Sequence, residues 1–224
     1  MTLNARAWLG LAILAGVMCA LLFGTAGTTQ YWQAWVYVSI FLGAAVLTTL
    51  DLMKRDPALL ARRMRGGPMF EKERTQKIIM VFTSLGFIAL LVVSALDHRF
   101  GWSAVPVWGV VLGNVLVAIG FFCIFLVYRE NTFTAATIEV AAGQTVIATG
   151  PYALVRHPMY ASGVLYMLGT PVALGSYWGY LPLVAMTPFL LWRLLDEERI
   201  LTRDLPGYAD YRQRVRHRLV PMVW

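Results

Sequence analysis

Charge is what this sequence has least of. Of 224 residues, only 14% are Asp, Glu, Lys or Arg, and 58% are hydrophobic. A soluble globular domain carries about 25% charged residues. So poor a supply excludes an ordinary water-facing surface and points to a bilayer as solvent. Cysteine is scarce too: Cys19 and Cys123 each sit inside an apolar run, which excludes a disulfide framework or a thiolate metal site. The three histidines, His98, His157 and His217, are scattered. They give no metal-ligand cluster, so no metal is expected. No repeat recurs at a fixed period. The formal charge is +7, but no basic, aromatic-interleaved module is present, so no nucleic-acid partner is expected.

What the chain does have is long apolar runs. A spanning helix needs ~20 predominantly apolar residues. Candidates run from about Trp8 to Phe23, Tyr31 to Leu50, Ile78 to Leu96 and Ser103 to Tyr128. A basic start before an apolar run is also the pattern of a cleaved signal peptide. Here a second run follows the charge-free turn GTAGTTQ, which favours a helical hairpin. From Met159 to Trp192 there is no charged residue, and GSYWG at 175–179 would turn this stretch near its middle. Pro171, Pro182 and Pro188 would kink or break its helices, and its second arm is expected to end as Arg193 leads into a polar tail. The expected fold is an all-α integral membrane protein with about six transmembrane helices, including a short helical hairpin (159–192). Residues 1–130 form leading helices with a basic loop (53–77), and 131–224 form a core.

Topology follows from the basic residues. The 53–77 loop holds Lys54, Arg55, Arg62, Arg63, Arg65, Lys72, Arg74 and Lys77. With that loop inside, alternation leaves only Arg99, of nineteen Lys and Arg, outside. This positive-inside pattern puts both termini in the cytoplasm of a multi-pass protein, expected in a bacterial inner membrane. Tyr31, Trp32, Trp102, Tyr177 and Trp178 fall near the outer ends, where amphipathic rings favour the interface. Asp56-Pro57 is an N-cap and N1 pair, and Gly66-Gly67-Pro68 would end the helix that it starts. In the tail, Tyr208, Tyr211, Val215 and Leu219 recur at helical spacing between Arg212, Arg214, Arg216 and Arg218. That pattern suits an amphipathic helix at anionic headgroups; the alternative is a solvated basic tail.

Two polar constellations interrupt the oil. GPYALVRHPMY spans Gly150 to Tyr160, and Arg193-Leu-Leu-Asp196-Glu197-Glu198 follows the hairpin. The first is either an interfacial turn, with Arg156 and His157 reaching the headgroups, or one wall of a pocket between helices. In the second, Arg193 and Glu197 are four apart and share a helix face. They make either a surface ion pair of little worth or a functional pair at a membrane boundary. Spacing alone does not choose.

GPYALVRHPMY, a charge-free hairpin, an Arg with a Glu-Glu pair, and then GYADYRQRV together resemble the isoprenylcysteine carboxyl methyltransferase family, which is related to the membrane phospholipid N-methyltransferases. The resemblance covers about Asn131 to Pro221. It implies an integral membrane enzyme that uses S-adenosylmethionine, with its active site facing the cytoplasm. By position, the resemblance implies cofactor contacts from Tyr152, His157, Pro158, Met159, Tyr160 and Glu197, with Glu198 beside them. Arg156 belongs to the same motif. A strand-like stretch, Gln144, Thr145, Val146 and Ile147, would line the site through its backbone. The eukaryotic enzymes usually begin this stretch with His, where this chain has Gln144. Arg193 would hold the acceptor, so Arg193 and Glu197 are the catalytic candidates.

The residue types suit that cofactor, because tyrosine faces attract a sulfonium cation by ~0.5–2 kcal/mol. No glycine fingerprint follows a strand pattern, which excludes a soluble Rossmann methyltransferase. The implied partners are the lipid bilayer and a lipophilic acceptor: a prenylcysteine-like carboxylate, a phospholipid amine or a small thiol. The alternative of another class is a non-enzymatic transporter or assembly factor. Against transport, no charge lies mid-span and no inverted repeat is visible. Oligomeric state is not legible.

Overall fold

The computed structural model describes every residue except 72, 139, 141, 142 and 222; Lys72 of the basic loop thus lies outside the described residues. Every regular element among the described residues is a helix, and none of them is a strand. Helix α1 (Leu3–Cys19) is capped by the Thr2 hydroxyl, which accepts from the Ala5 amide at 3.3 Å, and runs on into a π-helical turn, Ala20–Gly24. Helices α2 (Trp32–Arg55), α4 (Arg74–Phe100) and α5 (Val107–Glu130) follow the expected apolar runs with ends shifted by a few residues; α5 starts at Val107 rather than Ser103. Four helices, Leu3–Gly24, Trp32–Arg55, Arg74–Phe100 and Val107–Glu130, are long and apolar enough to cross a membrane. Between α2 and α4 lies α3 (Pro57–Arg63), started as expected by Asp56, whose carboxylate accepts from the Leu59 amide at 2.8 Å, with Pro57 next to it.

The hairpin consists of α6 (Pro158–Ala173) and α7 (Tyr180–Asp204). Its second arm does not end at Arg193. Pro188 lies inside α7 and the helix continues to Asp204, so Arg193, Asp196, Glu197 and Glu198 are all helical. Pro182 sits in the first turn, where the missing amide costs nothing. The expected strand-like character of Gln144 to Ile147 is not seen; the stretch is irregular.

The two arms touch each other little: α6 packs mainly on α5, and α7 mainly on α4. Small residues set both pairings. A methyl group on Gly113 of α5 would lie 2.4 Å from the Ala173 amide nitrogen, and one on Gly169 would lie 2.5 Å from the Gly113 carbonyl oxygen. In α4, a methyl on Gly86 would lie 2.6 Å from Met186 Cβ of α7. Between apolar helices in lipid, such close approach supplies the van der Waals contact that holds them. Drawn to different partners, α6 and α7 splay and leave a cavity between them.

At the end of the bundle away from the RHP motif, Asp97 is buried at the end of α4. It accepts from the Ser103 amide at 2.7 Å, and from the Ser103 and Ser176 hydroxyls at 2.6 Å each, so it ties two turns together. Tyr31, expected at the interface, is instead fully buried. Its hydroxyl donates to the Leu174 carbonyl at 2.6 Å and its ring stacks on His98. Trp32, Trp102, Tyr177 and Trp178 are exposed, as the interface reading expects.

Gly113→Ala is expected to lower the thermal unfolding temperature in detergent, at a cost on the order of 1–3 kcal/mol. Gly43→Ala, with open space around it, should leave that temperature unchanged. Equal behaviour of the two variants would contradict the close α5–α6 contact.

Candidate active site

GPYALVRHPMY forms the cap of α6. Gly150 has φ +55°, and a side chain there would collide with the Glu130 carboxylate at 2.8 Å, so glycine is required. Residues 150–153 then make one 3-10 turn, His157 is the N-cap of α6, and Pro158 is its first residue. Pro at this position gives up an amide that has no helical partner.

The buried Arg156 is the anchor. Its Nε donates to Glu198 Oε1 at 2.7 Å, and its Nη1 donates to the carbonyls of Val215 and Arg216 at 2.9 and 2.8 Å. The backbone joins in: the amides of Arg156 and His157 donate to the carbonyls of His217 and Arg218 at 2.9 and 3.0 Å. Glu198 also accepts from Arg218 Nε at 2.9 Å and lies 3.3 Å from His157 Nε2. That last contact is close but poorly aligned, so the imidazole nitrogen keeps a hydrogen-bonding position in reserve. Burial alone would push the Glu198 carboxyl up. The close His157 ring and the hydrogen bonds from Arg218 and Arg156 outweigh it and hold the group well below the usual carboxylate range.

The apolar face of the tail therefore packs on this chain. Its helix α8 (Tyr208–Arg214) turns Tyr208 and Tyr211 inward against Val140, Val146 and Ala148. The Tyr211 hydroxyl donates to the Tyr152 carbonyl at 2.7 Å, and the Tyr152 hydroxyl accepts from Asn131 Nδ2 at 2.9 Å.

These elements enclose one cavity of about 890 Å³, within the range of small-molecule sites. Its polar end is lined by Gln144 to Ile147, Tyr152, Arg156, His157, Pro158, Met159 and Tyr160, and across from them by Arg193 and Glu197. Glu198 is not among the lining residues; it holds Arg156 and His157 from behind. The rest of the cavity is apolar and runs between α1, α4 and α7, past Met18, Phe87 and Leu183. Along α7, Leu183 lies ten residues before Arg193, roughly 15 Å at the helical rise.

Arg193 and Glu197 do not pair with each other. The Tyr160 hydroxyl donates to Glu197 Oε2 at 2.6 Å, and Glu197 has no ion pair among the described residues. Arg193 is buried. Its Nη2 lies 2.8 Å from Glu71 Oε1 and donates to the Ala136 carbonyl at 3.1 Å, and its Nη1 donates to Gln76 Oε1 at 3.1 Å. Gln76 in turn donates to Asp196. Glu71 and Gln76 belong to the basic loop and the start of α4, where the sequence shows no motif. Arginines of that loop also grip the opposite wall: Arg62 donates to the Thr132 carbonyl, and Arg63 donates to the Ala135 carbonyl at 2.8 Å. Sequence reading used these arginines for topology only. The one available signal was that Glu71 is an acid in a loop of mostly basic charge.

The cavity thus joins a polar, tyrosine-lined end to an apolar channel inside a bundle of apolar helices. Residues 108–206 match the family model for phospholipid methyltransferase. The match begins in α5 and ends just before α8, and it is consistent with membrane methyltransferases of the kind that the sequence resembles. Over 108 residues the chain is 26% identical to the cobalt-zinc-cadmium resistance protein CzcN of Cupriavidus metallidurans. That alignment covers 47% of this chain and 50% of the relative, so the chain matches about half of that protein's length. No cluster of His, Cys, Asp or Glu suited to a metal exists among the described residues.

Glu198→Gln should destabilise the protein by on the order of 3 kcal/mol, because it leaves Arg156 buried without a counter-charge. A carboxyl held low when folded stabilises fully above its unfolded value of about 4.3, and that contribution is lost as pH falls through the folded value. Thermal unfolding followed from pH 6 to pH 3 should therefore decline less steeply in Glu198→Gln than in the wild type. Parallel curves would contradict the assignment.

Proposed function

We propose that this chain is a membrane-embedded methyltransferase that uses S-adenosylmethionine and acts on a lipophilic acceptor. The observation that carries the proposal is the single cavity joining the GPYALVRHPMY loop and Glu197 to an apolar channel. The residues fit the cofactor. The volume is sufficient, and the tyrosines offer faces to a cation. Glu197 is a carboxylate without a described cation, and His157 Nε2 is buried without an aligned partner. When bound, S-adenosylmethionine supplies an electrophilic methyl group. Tyr152, His157, Pro158, Met159 and Tyr160 would hold the cofactor, with Gln144 to Ile147 along its edge. Glu197 would accept from its amino or ribose groups. Arg156 and Glu198 would act from outside the cavity by fixing the loop. Orientation of acceptor and donor in line, with water kept out, would supply most of the rate.

Two acceptor chemistries divide the reading. The resemblance to isoprenylcysteine methyltransferases favours a carboxylate, steadied by Arg193. The Arg193–Glu71 pair favours an amine, because that guanidinium is already neutralised while Glu197 is not. With an amine acceptor, the bound donor would supply the methyl group and Glu197 would take the proton that the nitrogen loses. We further propose that α6 and the first half of α7 enter the bilayer beside the four long helices, giving six spans. The site and both termini would face the cytoplasm, as the basic loops predict.

Purified protein in detergent should bind S-adenosylmethionine saturably in calorimetry, and Tyr160→Phe and Glu197→Gln should each weaken binding about tenfold or more, or ~1.4 kcal/mol. Absence of saturable binding by the folded wild type would refute the enzyme reading. Arg193→Ala should destabilise the protein by stranding buried Glu71, and adding Glu71→Ala should restore most of the loss. If the stabilised double variant turns over at the wild-type rate, Arg193 does not hold the acceptor.

A further inference from the structure

A second cavity, of about 430 Å³, lies where α7 meets α8 and the chain beyond it, and it shares no lining residue with the larger one. Four arginines line it, Arg199, Arg203, Arg212 and Arg218, with Thr202 and a single carboxylate, Glu198. We propose that this cavity binds the phosphate headgroup of an anionic lipid.

Three observations converge. First, the guanidinium groups of Arg203 and Arg212 are free to turn to a ligand, whereas Arg199 is held by buried Asp196 and Arg218 by buried Glu198. Arg199 and Arg203 have side chains 73% and 64% exposed, and their partners Asp196 and Asp204 do not line the cavity. The Arg203–Asp204 pair, exposed on both sides, is of the weakly held kind. Arg212 donates to the Thr202 hydroxyl at 3.1 Å and has no ion pair among the described residues. Second, the residue type is right, because planar guanidinium forks match the oxygens of a phosphate and bind it in pairs. Third, the cavity continues an apolar stripe. Val184, Leu191 and Leu195 are exposed on α7. Leu195 itself lines the cavity, and Arg199 and Thr202 follow it by four and seven residues, on the same helix face. An acyl chain lying along that stripe would bring its phosphate to the arginines, an arrangement a free anion does not need. Basic clusters at this depth are the sites that anionic headgroups seek.

The site also has a route to the larger cavity. Arg218 is shared between the arginine cluster and Glu198, and Glu198 holds Arg156 and His157. A phosphate that drew Arg218 would reach the cofactor loop through two contacts.

The test is native mass spectrometry of the full chain released from nanodiscs of phosphatidylglycerol or phosphatidylcholine, with inorganic phosphate alone as a third arm. The wild type should retain phosphatidylglycerol in preference to phosphatidylcholine. Arg203→Gln/Arg212→Gln should lose that preference roughly tenfold, with an unchanged melting temperature. The single variant Arg203→Gln, paired only with exposed Asp204, replaces the double if the double is unstable. Equal retention by wild type and variant would overturn the proposal. Saturable binding of phosphate without preference for the anionic lipid would overturn it too, and would leave a site for a soluble anion. Neither readout depends on methyl transfer.

Discussion

The buried ion pair between Arg156 and Glu198 is the constraint on which the site rests. A charge taken out of water must be matched in full, and this one is matched by bringing three distant pieces together. The loop before α6 supplies the guanidinium, α7 supplies the carboxylate, and the tail supplies two carbonyls and a second arginine. Once that junction closes, His157 is fixed, Tyr160 reaches Glu197, and α8 lays its tyrosines over Val140, Val146 and Ala148. The polar wall of the cavity is thus a consequence of satisfying one buried arginine.

The apolar half has a different origin. Close contact at Gly113 and Gly169 draws α6 onto α5, and Gly86 draws α7 onto α4. A hairpin whose arms are claimed by separate partners opens into a channel, and helix α1 closes one side of it. At the far end, Asp97 and Tyr31 pin the turn between the arms.

Much of this was legible in the sequence because it depends on local pattern. The apolar runs gave the four long helices, Asp56-Pro57 gave the start of α3, and the density of polar groups in GPYALVRHPMY marked one wall of the cavity. What was not legible depends on contacts far apart in sequence. No spacing rule pairs Arg193 with Glu71 or tells that Glu198 serves Arg156 from outside the cavity. The tail's periodicity was read correctly as amphipathic, but periodicity does not say what the apolar face meets, and here it meets the chain itself. The end expected at Arg193 misled for a physical reason: the first charge after an apolar run marks where the oily segment stops, and the helix itself runs on to Asp204. Tyr31 misled likewise, since a ring at a membrane boundary suits the interface as well as it suits a buried hydrogen bond.

The central claim is that this cavity carries a methyl group from a sulfonium donor to a lipid-soluble acceptor. It is tested most directly by incubating the purified chain with methyl-labelled S-adenosylmethionine and a membrane lipid extract, then measuring label by mass in the organic phase. The account predicts a labelled lipophilic product that Glu197→Gln fails to form. Label confined to unreacted cofactor, with folded protein and extracts from several membranes, would contradict it.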